Sequence, residues 1–140
     1  MSRHDRNQPG LRIRLARRRT GIASQHRQLD AFVREVSQAL QRGQRRDCET
    51  AVFRLQGALN AHFTVEEQII FPAIRGLQSE LADRLWVLQC DHERLREHVD
   101  RLALAIVASD IATVQRALEE FDTALSAHER IEEHILENVS

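Results

Sequence analysis

Apolar residues recur along this chain at intervals of three and four, the period of a helix with one buried face. From about Thr20 to Arg42 they are Ile22, Leu29, Phe32, Val33, Val36 and Leu40. Gly43 is placed to stop that helix, and Asp47 to cap the next. The second helix carries Val52, Phe53, Leu55, Leu59, Phe63, Val65, Ile69 and Ile70, and is expected to end near Pro72 or Gly76. A third is predicted from about Ser79, a good cap, to Ala108, and a fourth from the Ser109-Asp110 turn to about Asn138. No strand pattern competes. Four long helices joined by short loops predict an all-α, antiparallel up-down-up-down four-helix bundle over residues 20–138. Residues 1–19 read as an arm, with an irregular pattern interrupted at Pro9-Gly10.

A repeat runs through the pattern. Residues 58–70 read ALNAHFTVEEQII and residues 124–136 read ALSAHERIEEHIL, with seven of 13 positions identical at an offset of 66. The same offset carries His26 onto His92, His62 onto His128 and Glu66 onto Glu132. The first two helices therefore resemble the last two, and the bundle is expected to have an internal pseudo-two-fold axis.

The repeated residues are chemically suggestive. His62 with Glu66, and His128 with Glu132, form two HxxxE pairs. Residues four apart on a helix share one face about 6 Å apart, so an imidazole and a carboxylate can reach one metal centre. Bundles that hold two metal ions use inward pairs of this kind from facing helices. Imidazole with carboxylate suits iron, and also zinc or manganese, and without cysteine it argues against an iron–sulfur cluster.

Helix geometry tests the grouping. Residues level with each other on antiparallel neighbours are equidistant from the turn between them. The midpoint of His26 and His62 is position 44, and that of His92 and His128 is position 110. The midpoint of the His62–Glu66 pair and His92 is position 78. The first falls in the Gly43-Gln44 turn, the second at the Ser109-Asp110 turn and the third beside Gly76 and Ser79, all places already marked by stops or caps. At ~1.5 Å per residue, the six side chains should gather at one level. A single histidine on a helix would read as an ordinary core or surface residue. Six polar side chains inside a bundle would cost several kcal/mol unless something pairs them.

The neighbours fit less well. His98 and His134 each follow a candidate ligand by six residues and should face away. His4 lies in the arm. Glu67 and Glu133 are expected beside the ligands or at the surface, and Cys90 off the metal face. Leu29, Val65, Leu95 and Ile131, each one turn from a candidate histidine, should wall the site.

Composition narrows the class. Hydrophobic residues make up 42% and charged residues 29%, which marks a globular chain, not a disordered one. There is no tyrosine, so phenolate chemistry is excluded. Cys48 and Cys90 are too few and too isolated for a disulfide framework, which points to a reduced, cytoplasmic setting. No apolar stretch approaches the ~20 residues needed to span a membrane. Residues 1–19 hold seven arginines against Asp5, while the remainder is acidic. Arg12, Arg14, Arg17, Arg18 and Arg19 could touch an acidic partner, or the arm could pack on the bundle through Leu11, Ile13 and Leu15. A solvated segment is the expected reading, with nucleic acid not expected as a partner and a homodimer left open.

At this point the chain resembles the hemerythrin-like, or HHE cation-binding, family over about residues 20–138. The resemblance rests on His26, on His62 and Glu66 in HFTVEEQIIFP, on His92 in DHERL, and on His128 and Glu132 in HERIEEHIL. It implies a carboxylate-bridged pair of non-haem iron ions, with His26, His62, Glu66, His92, His128 and Glu132 as ligands. Each iron would take two histidines, with Glu66 and Glu132 bridging. The oxygen carriers of the family use five histidines, whereas here Leu88 and Arg96 flank His92 at the spacing of the missing one. Their last motif has an Asp where this chain has Glu133. The four-His, two-Glu set is more similar to the iron-centre repair and iron-sensing members. The expected function is therefore binding or sensing of O₂, NO or peroxide. The alternatives are a di-iron enzyme or iron donor, acting in iron-centre repair or in peroxide or NO detoxification, and a structural bundle or zinc site without redox chemistry.

Overall fold

A computed structural model describes residues 3–108 and 110–139. Helix α1 spans Arg3–Gln41, α2 Arg45–Val65, α3 Phe71–Leu77, α4 Ala82–Ala108 and α5 Ile111–Glu137. A π-helical turn, Glu66–Ile70, joins α2 to α3 without a break, and a 3₁₀ turn, Ser79–Leu81, precedes α4. The α2–α3 rod therefore counts as one of four long helices. Helix α1 packs on α2 and α5, and α4 packs on α2 and α5, which closes the antiparallel bundle.

The ends follow local chemistry. Gly43 takes φ +68°, a left-handed conformation that costs glycine little. The Gln44 N–H then reaches the Ala39 carbonyl at 3.1 Å and the Gly43 N–H reaches Leu40 at 3.0 Å, the paired bonds of a Schellman stop. Asp110 caps α5, its carboxylate accepting from the Thr113 N–H at 2.8 Å. Ser109, expected in the same turn, lies outside the described residues.

Other boundaries differ from the expectation. Asp47 is not the cap of α2. Gln44 occupies that position and Asp47 sits in the first turn, where its charge complements the helix N-terminus. Ser79 opens the 3₁₀ turn without a side-chain cap bond. The end of the second rod is as expected: it runs through Pro72 to Leu77, just beyond Gly76. Pro72 is tolerated because a wide turn lies immediately before it: the Phe71 N–H bonds back five residues to the Glu66 carbonyl. A proline ring normally collides with the carbonyl four residues back, and a π turn relieves that collision.

The irregular arm is likewise replaced by helix. Helix α1 continues through Pro9-Gly10 as far as Arg3. Its arginines are good helix formers, and Leu15 and Ile22, two turns apart, bury one stripe of the extension against the bundle. Ile13 is exposed, while the side chains of His4, Leu11 and Arg12 lie outside the described residues.

The core falls into two apolar clusters. One surrounds Val36, Leu55, Leu102 and Phe121 toward the α1–α2 and α4–α5 turns. The other gathers Leu15, Ile22, Ile74, Leu85 and Leu136 at the opposite end. His26, His62, Glu66, His92, His128, Glu129 and Glu132 are the buried polar residues. The six candidate ligands fall in sequence between members of the two clusters, as His92 does between Leu88 and Leu95.

Candidate metal centre

Each long helix supplies one inward histidine, and α2 and α5 carry the carboxylates one turn further on. Glu66 opens the π turn and Glu132 lies within α5. All six side chains converge. The Nε2 atoms of His62 and His92 lie 3.3 and 3.1 Å from Glu66 Oε1. Those of His26 and His128 lie 3.2 and 3.5 Å from Glu132. His62 Nε2 is also 3.8 Å from Glu132, so the two carboxylates serve both halves.

The ligand atoms form two overlapping groups, His26–His62–Glu66–Glu132 and Glu66–His92–His128–Glu132, each within 4.8 Å. Either group could hold a metal ion, and the groups share both glutamates. The fit has an independent mark. The Nε2 atoms of His62, His92 and His128 and both Glu66 oxygens are buried without a hydrogen-bond partner. Such orphans cost about 1–3 kcal/mol each, more when charged. A cation at their focus would satisfy them together.

Each outer ring nitrogen has its own neighbour. His26 Nδ1 lies 2.8 Å from Glu133, and His92 Nδ1 lies 2.7 Å from Glu67. His62 Nδ1 meets Gln25, and Asp91 lies 3.6 Å from His128 Nδ1. At His62 and His92 the acceptor at Nδ1 holds the proton there and leaves the Nε2 lone pair facing inward, whereas His26 meets carboxylates at both nitrogens. Glu67 and Glu133 thus stand beside the candidate ligands. Gln25 and Asp91 had no spacing signal of their own, yet they too are related by the offset of 66.

Around the candidate centre, three of the paired positions that differ between the two halves stand out. Gln25 stands where the other half has Asp91. Phe63 stacks flat on the His92 ring with 3.8 Å between centroids, where the other half has the buried Glu129. Arg96 reaches Glu67 at 3.3 Å, where the other half has Asp30 beside Glu129.

Electrostatics follow from burial. Burial drives His62 and His92 down to about 3, neighbouring histidines adding to the effect on His62. Burial, opposed by Asp91 and helped by His26, takes His128 down to about 4. Burial also works against charge on His26, but Glu132 and Glu133 outweigh it and raise His26 to about 9. Burial, with the Asp30 carboxyl alongside, pushes Glu129 up to about 8, and burial raises Glu132.

The wall is partly as expected. Leu29 and Leu95 are buried and Val65 is half-buried, but Ile131 is 49% exposed. On α5 the inward direction is taken by His128 and Glu132, which leaves Ile131 on the flank. His134 is exposed and His98 half-buried, and neither joins the cluster. Cys48 and Cys90 are free thiols outside both groups.

A family model described as the hemerythrin HHE cation binding domain matches residues 20–139. No curated protein and no solved structure gives a significant match.

Proposed function

This chain belongs to the hemerythrin HHE cation-binding family, and from that premise we propose that it is a non-haem di-iron protein that binds or senses O₂, NO or peroxide. One observation carries the reading: two groups of four ligand atoms share both Glu66 and Glu132. That arrangement suits two ions bridged by two carboxylates. His26 and His62 would hold one ion, and His92 and His128 the other. Bound ferrous iron supplies the electrons and the open coordination positions that such small ligands need.

The remaining chemistry belongs to the chain. Glu67, Glu133, Gln25 and Asp91 orient the imidazoles, and Glu67 is itself held by Arg96. Phe63 covers the His92 ring, while Leu29 and Leu95 exclude water. Free cysteines agree with a reduced compartment, and no helix of the described residues is long and apolar enough to cross a membrane.

The test is anaerobic reduction followed by addition of O₂ or NO and then removal of the gas. A visible spectrum that changes and returns supports binding or sensing. Sustained consumption of NO or peroxide, or passage of iron to an apo-acceptor, would replace this reading with an enzyme or an iron donor.

A further inference from the structure

A cavity adjoins the bundle where the N-terminal part of α1 passes the π turn and α3. Its volume is about 680 Å³, within the ~300–1,000 Å³ usual for small-molecule sites. Val65, Ile69 and Ala73 give it an accessible apolar floor, backed by the buried Leu15, Ile22 and Ile70. Arg14, Arg17 and Arg18 line it on the α1 side, and no acidic side chain lines it among the described residues.

The internal repeat acts as a control for what is special here. At the offset of 66, Arg17 corresponds to Asp83 and Gly21 to Val87, both in the first turns of α4. The α1 side therefore has an arginine in place of an acid and no side chain in place of a branched one. A Cβ placed on Gly21 would meet no atom within 4 Å. The missing side chain leaves space, and Gly21 lines the cavity. The π turn contributes as well. Ile69, matched to the buried Ile135, is instead 44% exposed and lines the same space.

We infer that this cavity is a binding site for a free, single-chain organic anion, its apolar chain lying along Val65, Ile69 and Ala73 above the buried Leu15, Ile22 and Ile70, and its carboxylate or phosphate head meeting Arg14, Arg17 and Arg18. Guanidinium groups pair bidentately with both head types, and the apolar chain gains from removal of its surface from water. An inorganic anion would leave the floor unused, and an uncharged chain would leave the arginines unused. Gln25 lines the inner side and also meets His62 Nδ1, so the cavity borders the metal centre. The assignment does not depend on which metal is bound.

The experiment is calorimetric titration of the full-length, metal-loaded chain with dodecanoate below its micelle concentration. One molecule bound per chain is expected. Gly21→Leu fills the space and suits a helix better than glycine, so it should fold and weaken binding tenfold or more. A triple Arg14→Ala, Arg17→Ala, Arg18→Ala variant should weaken it similarly. Metal content and helical circular dichroism should stay unchanged in both. Unchanged binding in Gly21→Leu would overturn the site. So would inorganic phosphate or dodecanol binding as tightly as dodecanoate. Capture of the chain by phosphatidylglycerol vesicles or a single-stranded oligonucleotide, without monomeric dodecanoate binding, would replace it with a membrane or nucleic-acid surface.

Discussion

At the scale of single residues, the centre is a set of atoms that only make sense together. His62 and His92 are held neutral, while His26 is pulled toward a charge by two glutamates. The metal-free chain should therefore respond to pH in a defined direction. His26 rises from 6.5 to about 9, so its stabilising contribution is complete below pH 6.5 and is lost as pH climbs through 9. Glu129 rises from 4.5 to about 8, so its contribution is lost across that span. Both act in the same sense above pH 6.5, whereas on the acid side Glu129 opposes His62 and His92. Thermal melts of metal-free protein should show Tm falling from pH 6.5 to 9, with a smaller fall once metal has displaced the His26 proton. A Tm that rises over that range would contradict the assignment. Outer partners offer a second check. Glu67→Gln should lower metal affinity roughly 10–100-fold in a chelator competition while leaving the fold intact. The gathering of the six candidate side chains was legible because the repeat and the turn midpoints both marked them. Gln25 and Asp91 were not, because each sits one residue before a histidine and acts across a helix–helix seam that no spacing along one helix records.

At the scale of elements, the stops and caps were largely readable and the rotations were not. Gly43 and Asp110 do what their residue types suggest. Gly43→Ala should cost about 1 kcal/mol, from strain at positive φ, and Asp110→Ala about 1 kcal/mol, from the lost cap. Denaturant midpoints would read both, and no change at either would remove these roles. The π turn escaped the periodicity because it shifts the inward face by one residue. Ile69 moves out while Ile70 and Phe71 move in, whereas the matching stretch of α5 buries Ile135 and Leu136. Only the clash that Pro72 would cause in a regular helix hints at it. The wall of the site makes a similar point. Leu95→Ala should cost ~2–5 kcal/mol, while Ile131→Ala should fall within about 0.5 kcal/mol, although both residues follow a histidine by three.

At the scale of the whole molecule, a polar layer is held between two apolar clusters in a bundle built from two similar halves. Burying such a layer is costly without a cation, and the clusters on either side fix its geometry. The bundle and its repeat were visible in the sequence because four amphipathic segments and their turns agreed. The helical extension of α1 was not, since a proline and a glycine suggested a break and the packing of Leu15 depends on a surface formed by distant elements. The central claim is the shared pair of carboxylates, and metal content tests it most directly. We would measure iron per chain by elemental analysis, with the Mössbauer spectrum, for the wild type and for Glu66→Ala after expression with iron supplied. The account predicts close to two coupled irons in the wild type and a sharp loss in the variant. Negligible iron, zinc in its place, or two irons retained by Glu66→Ala would contradict it.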